Sequence, residues 1–358
     1  MAQIVDTQED QAGGRGLGGR GASSHERRST ALPTAKSRIR YAVVLTILCV
    51  LAGGFAFGVL AVGNPMPVGS DGFWRIAKMR TTNITVMLIV AFCQAMATVS
   101  FQTITNNRII TPSIMGFESL YTVVQTSSVY FLGVAGVAAL QGRVQFVGQV
   151  LLMVALAMML YGWLLRGKYG NLQVMLLVGI IIGGGLGSVS SFMQRLLTPS
   201  EFDVLAARMF GSISNANADY LPIAIPLCLA AGGALWFKSR QLNLMALGKE
   251  TAIGLGLNYK RELLQTLFFV SILMAVSTAL IGPMTFLGFL VATLAYQFAD
   301  TYDHRKIFPV AVLTGFVVLS GAYFVMKNIF YAQGVVSIII EMVGGVTFLI
   351  VMLRKGRL

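Results

Sequence analysis

From residue 41 onward the chain breaks into about ten apolar runs: 41–63, 81–101, 113–135, 146–165, 172–194, 220–237, 263–281, 283–300, 307–326 and 335–353. Each is close to the ~20 apolar residues that a helix needs to cross a bilayer. The expected fold is therefore all-α, a polytopic membrane protein of about ten transmembrane helices. Composition agrees: 56% of residues are apolar and 11% charged, against about 25% charged in a soluble globule. The division expected is a disordered basic tail over 1–40, too poor in apolar residues to form a core, and one transmembrane domain over 41–358.

The net charge of +13 is read through its distribution. With these spans and an inside N-terminus, seven of the 27 Lys and Arg fall outside: Arg75, Lys78, Arg80, Arg143, Arg195, Arg208 and Lys327. The rest lie in the tail, the short inside loops and the RKGR end, so the bias reports orientation, with both termini cytoplasmic. It implies contact with anionic lipid and no nucleic acid, and the short RGLGGRG run in the tail reads as a solvated basic segment. The residues FWRIAKMR at 73–80 are expected in an external loop, and 195–219 in an external amphipathic segment with Phe202, Leu205, Ala206 and Met209 on one face.

One polar interruption has internal structure: Lys238 to Glu262, with Lys238, Arg240, Lys249, Lys260 and Arg261, hence on the cytoplasmic side. Asn243 is a candidate N-cap, Leu244 to Leu247 a first turn, Gly248 a break, and Glu250 the first turn of a second short helix closed by Gly254 and Gly256. Leu244, Leu247, Ile253 and Leu257 are apolar knobs beside a membrane. Composition alone leaves two readings open, rest against the protein's own helix ends or docking into a partner.

No enzyme constellation is present. Leu247-Gly248-Lys249-Glu250 lacks the upstream Gly and the Ser or Thr of a phosphate-binding loop, so any energy must come from a partner. Cys49, Cys93 and Cys228 lie singly in apolar runs, which argues against disulfides and metal ligation; neither a cofactor nor a metal site is expected. His304, beside Arg305 and Lys306, reads as a solvated loop residue, as does His25. Glu341 is an ionisable residue inside a span and is expected to face the bundle interior or a wet cavity, while Glu118 reads as a helix-end residue. The glycines Gly179, Gly183, Gly184, Gly185 and Gly187 permit close helix approach or unwinding beside a cavity.

The loop resembles the coupling helices of the permease subunits of iron-siderophore and vitamin B12 ABC importers, the FecCD type. Leu244, Leu247, Gly248, Ala252, Leu255 and Gly256 match a LxxLGxxxAxxLG-like pattern. Gly282 to Ala292 resembles the family's GPIxFxGLxxPH segment, with Asp303-His304-Arg305 following where members often carry DHR. Arg108 to Gly116 resembles its NPLAxPxxLG link, and Gly334 to Ser337 with Gly344-Gly345 its closing pattern. Ala292 and Thr293 replace the usual Pro and His, and Met342 to Gly345 lack the usual Pro; with FESLYTVVQT at 117–126 these features resemble the catechol or mixed siderophore branch rather than the vitamin B12 one.

The resemblance implies a type II ABC importer permease fold in a bacterial inner membrane, paired with a second permease subunit, identical or paralogous. It also implies a cytoplasmic ABC ATPase dimer and an extracellular or periplasmic siderophore-binding protein as partners. Leu244, Leu247, Gly248, Glu250, Ala252 and Gly256 would couple to the ATPase; Arg75, Arg80 and Lys327 would dock the binding protein. The path or its gate would be lined by the fifth and tenth spans and the 166–171 loop, with Gly183, Gly184, Gly187, Asn171 and Glu341 as candidates. The rival readings are an ion-coupled secondary transporter, for which one deeply placed acid is too few, and a non-transporting assembly subunit.

Overall fold

The computed structural model describes residues 31–62, 65–67, 69–139, 142–166, 172–213, 216–330 and 336–355. All regular elements among them are helical: α1 Ala35–Ala61, α2 Asp71–Ile104, α3 Glu118–Ala139, α4 Arg143–Arg166, α5 Leu172–Gln194, α6 Pro199–Met209, α7 Leu221–Phe237, α8 Ser239–Met245, α9 Lys249–Gly254, α10 Tyr259–Ile281, α11 Leu287–Ala299, α12 His304–Asn328 and α13 Val336–Lys355. Nine helical segments among the described residues are long and apolar enough to cross a membrane.

The tenth crossing is made differently from the expected helix over 283–300. The 13 residues of α11 rise only ~20 Å at 1.5 Å per residue, short of a ~30 Å hydrocarbon core. Yet α10 begins at the 238–262 loop, and α12 begins beside that loop again, its His304 amide donating to Asn243 Oδ1 over 3.1 Å. The residues between must therefore return across the bundle, and the non-helical stretch Gly282 to Phe286 supplies the missing length at ~3.3 Å per residue. Gly282, at φ +88°, turns the chain where a Cβ would lie 3.2 Å from the carbonyl oxygen of Arg208. Irregular backbone at membrane depth is tolerated only when protein covers it, and Met284 is fully buried while Ser212 N–H donates to Ile281 O over 3.0 Å.

Two boundaries differ from expectation because polar partners let helices run on through charged residues. The stretch 73–80 is the start of α2 rather than a loop: Ser70 caps it, its hydroxyl accepting from Phe73 N–H over 3.2 Å. Residues 35–40 belong to α1 rather than to the tail, with Thr34 and Ser37 forming a reciprocal capping box. Arg40 there pairs with Asp300. Residues 1–30 of the expected tail lie outside the described residues.

The core is built on α2 and α10, which pack together and against α12, α11, α4 and α7. Inside it Gln94 Nε2 donates to Ser277 Oγ over 3.1 Å, tying α2 to α10. Helices α1, α5 and α13 present long apolar side chains outward, among them Phe57, Ile181 and Leu353. The glycines of α5 divide by role: a Cβ on Gly183 would come 2.8 Å from Cα of Gly116, itself at φ +97° before α3, whereas Gly184 and Gly187 face open space. Gly183 therefore allows the close approach of α5 to the start of α3. The amphipathic segment folds as α6 against α3; of the residues expected on one face, Leu205 is buried while Phe202 stays exposed. Below, the bundle end that carries the 238–262 loop is called the loop end, and the one that carries α6 the far end.

Candidate functional site

At the loop end the interruption is a platform of two short helices, α8 and α9. Its entry and exit are tied by Lys238 Nζ, which bonds the Glu262 carboxylate and, at 2.6 Å, Gln265 Oε1. The pair is mostly shielded, with the side chains 19% and 16% exposed, so it is less screened than a surface ion pair. Leu242, Met245 and Ala252 are buried beneath the platform. Gly248 and Gly256, at φ +96° and +83°, make the turns after α8 and α9 in a region that costs an L side chain strain.

The remaining apolar residues point away from the protein. Leu247, Ile253 and Leu255 are 57%, 51% and 58% exposed, and Glu250 is exposed in the first turn of α9. Leu244 is half-buried, and Leu257 is half-buried against the core rather than a free knob. The two readings left open by composition thus divide by residue: Leu242, Met245 and Ala252 rest on the protein's own helix ends, and Leu247, Ile253 and Leu255 are presented outward.

Asn243 is not an N-cap, because α8 begins at Ser239. Its carboxamide reaches the start of α12 instead: Nδ2 donates to Asp303 Oδ1 over 3.2 Å, and Oδ1 accepts the His304 amide and lies 2.5 Å from His304 Nδ1. The other ring nitrogen of His304 is 2.6 Å from Thr103 Oγ1 near the end of α2. His304 is 2% exposed, which corrects its reading as a solvated loop residue. One imidazole thereby joins the platform to two central helices, and sequence reasoning missed it; the DHR-like triplet was the available signal. Hydrogen bonds among buried polar groups are worth ~1–3 kcal/mol when one partner is lost. His304→Ala is accordingly expected to speed amide hydrogen exchange across α8 about tenfold or more with α10 unchanged, while Arg305→Ala leaves both rates alone. Equal exchange in α8 with and without the imidazole would show that the platform is held by its apolar contacts.

The far-end basic residues do not form one set. Arg75 is exposed on α2, and Lys327 is half-buried in the last turn of α12. Arg80 is 5% exposed, and its guanidinium caps α1: Nη1 donates to the carbonyls of Leu60 and Val62 over 2.9 and 2.8 Å and approaches that of Val59 at 3.3 Å. A residue so placed is spent inside the chain and offers no docking surface. Glu341 is exposed on α13, so it faces out of this chain rather than into its bundle interior. Glu118 is no simple helix end either, since its Oε2 accepts from Thr285 Oγ1 over 2.6 Å beside the non-helical stretch. Asn171 and residues 167–171 lie outside the described residues.

The chain matches the FecCD transport family over residues 41–354. It is 50% identical over 335 residues to the petrobactin import system permease protein FatC of Bacillus anthracis, covering 94% of this chain and 95% of that one. It is 37% identical over 278 residues to the petrobactin import system permease protein YclO of Bacillus subtilis (strain 168), covering 78% and 88%. Among solved structures, an inward-facing metal-chelate type ABC transporter superposes with a TM-score of 0.76 at 19% identity, over 87% of this chain and 99% of that one. With a family match across nearly all the residues beyond the tail and half of 335 aligned positions shared with one relative, this chain belongs to the FecCD transport family.

Proposed function

We propose that this chain is a membrane-spanning permease subunit of an ATP-driven importer that carries ferric siderophores, of the petrobactin kind, into the cytoplasm. The observation that carries the coupling half is the platform at the loop end: three apolar side chains held outward on a base clamped to α2, α10 and α12. Such a base transmits a push from a partner into the core without deforming. The siderophore half is supported by the relatives, FatC and YclO, both petrobactin import permeases. The chain itself hydrolyses nothing; a partner ATPase supplies the energy. Bacillus anthracis has a second petrobactin permease similar to this chain, FatD, at 24% identity over 290 residues, which favours a paralogous rather than identical second subunit.

The orientation follows from the basic residues, with the loop end and both termini cytoplasmic. Gly184, Gly187 and Glu341 are left as candidates for the path, on surfaces turned away from this chain's own core. At the far end Arg75 and Lys327 are the docking candidates for a binding protein with acidic residues. Ion-coupled secondary transport is less well supported, because Glu118 is engaged by Thr285 and Glu341 faces outward.

The test is reconstitution of the full chain with a FatD-like permease, the ATPase and the binding protein in liposomes. Uptake of ferric petrobactin is expected to require ATP and the binding protein. The pair R75E and K327E is expected to slow uptake at low salt, with the defect shrinking as ionic strength rises, since exposed charges are screened over ~8–10 Å. A complex that hydrolyses ATP but imports no ferric siderophore sinks the substrate reading; a salt-independent defect sinks the docking one.

A further inference from the structure

At the far end, behind α6, a cavity of about 270 Å³ lies among α3, α4, α6, α10 and the segment after α6. Its polar lining includes Arg208, Gln125, Gln149, Tyr121 and Ser212, and no Asp or Glu. Arg208 makes no ion pair with any carboxylate among the described residues. Its Nη1 donates to Gln125 Oε1 over 3.4 Å, and Gln125 Nε2 donates to Gln149 Oε1 over 3.0 Å.

The direction of that chain is set by chemistry. A guanidinium has donors only, so Gln125 must turn its oxygen to Arg208 and its nitrogen to Gln149, whose oxygen must accept. What is left over is Gln149 Nε2, a donor shut away from solvent with no hydrogen bond to any of the described residues, and Ser212 Oγ, in a residue 8% exposed, likewise has none among them. Tyr121 brings no negative charge: its hydroxyl donates to Arg208 O over 3.1 Å, and its oxygen is only a neutral acceptor beside the two carboxamides. The site therefore ends in N–H and O–H donors around a half-buried cation that has no carboxylate beside it among the described residues, and successive bonds polarise one another in the same sense. Buried donors without acceptors are costly, which marks the cavity as one shaped for an acceptor-rich, negatively charged group.

We propose that this cavity is a carboxylate-binding subsite in which Arg208 supplies the charge and Gln149 and Ser212 the flanking hydrogen bonds. At about 270 Å³ it is smaller than the ~300–1,000 Å³ of whole-ligand pockets, so it takes one carboxylate arm of a chelate rather than the whole complex. Its use during import rests on the function proposed above; its chemistry does not. On that basis it holds an anionic ferric chelate by one arm as the chelate leaves the binding protein.

The test uses the full chain in nanodiscs of phosphatidylcholine, with radiolabelled citrate as the probe. Saturable binding at low salt is expected. Arg208→Gln should weaken it about tenfold or more, as fits loss of a hydrogen bond to a charged group. Arg208→Lys, which keeps the charge without the fork, and Gln149→Met should each weaken it by less. Arg143→Gln, at the same end but bonded through Nε to the Asp219 carbonyl, should leave binding within twofold. Absence of saturable binding, or equal binding by wild type and Arg208→Gln with unchanged thermal midpoints, overturns the site. Displacement of citrate by phosphatidylglycerol in the nanodisc, or by inorganic phosphate at lower concentration, overturns the carboxylate assignment in favour of a headgroup or free phosphate. In the reconstituted importer Arg208→Gln should raise the KM for ferric petrobactin without lowering kcat. A wild-type complex that imports no ferric siderophore but binds citrate through Arg208 would sink the function and leave the site standing.

Discussion

Leu247→Asp is expected to abolish ATPase stimulation and siderophore uptake while the permease stays folded and in the membrane. The side chain is 57% exposed, so an aspartate there costs the isolated chain little. Once seated in an apolar cleft of the ATPase, the same carboxylate is buried and unpaired, at ~3–5 kcal/mol, which is about 100-fold or more in association. Ile253→Asp should act in the same direction from the neighbouring helix. Gly248→Asp is a poor substitute, since φ +96° makes any such variant strained before a partner arrives. The measurements are co-purification with the ATPase and uptake per ATP hydrolysed. Survival of both in Leu247→Asp would show that the exposed apolar face is not the docking surface.

Arg80→Met is expected to cut stability by ~3 kcal/mol or more, because each charge-assisted bond to the α1 carbonyls contributes ~1.5–3 kcal/mol. Removing the guanidinium also takes the cap from the last carbonyls of α1, of which Val59 belongs to a buried residue. Thermal unfolding of the purified chain should show a midpoint lowered by several degrees, with Arg75→Met indistinguishable from wild type. The docking role expected from sequence makes the opposite forecast, slower association at unchanged stability. An unshifted midpoint for Arg80→Met would restore that role.

The contrast between Arg75 and Arg80 shows where the sequence was legible. Runs of apolar residues announce membrane helices because lipid imposes their length and composition locally, so the spans and the loop between α7 and α10 could be placed without the fold. The glycine turn at Gly248 was legible for the same local reason. Arg80 was not, since its partners Leu60 and Val62 lie 20 and 18 residues away on another helix, and a charge within a short external-looking stretch reads as solvated until the cap it satisfies is seen. His304 and Asn243 are 61 residues apart, and no pattern within either segment foretells that they meet. The shortness of α11 was hidden differently: the run 283–300 is mostly apolar, with Thr285, Thr293, Gln297 and Asp300 the exceptions, and hydropathy cannot separate helix from covered extended backbone. At the candidate site Leu247 was legible as an apolar knob in the loop, whereas which knobs face outward, and the clamp beneath them, were not.

The non-helical crossing before α11 also bears on how the protein is made. Its backbone is hidden partly by α13: a Cβ on Gly344 would sit 2.5 Å from Phe286 Cβ, and Phe348 meets Phe286 at a tilt and Phe289 edge-on, with ring centroids 5.7 and 5.1 Å away. Of the described helices α13 is the last to leave the ribosome. Until it docks, peptide groups of the 282–286 stretch lack part of their cover, and each one left facing lipid costs several kcal/mol. Chains that stall before Val336 therefore carry an exposed fault within the bilayer, the kind of lesion that membrane proteases act on, and completion of translation itself conceals it.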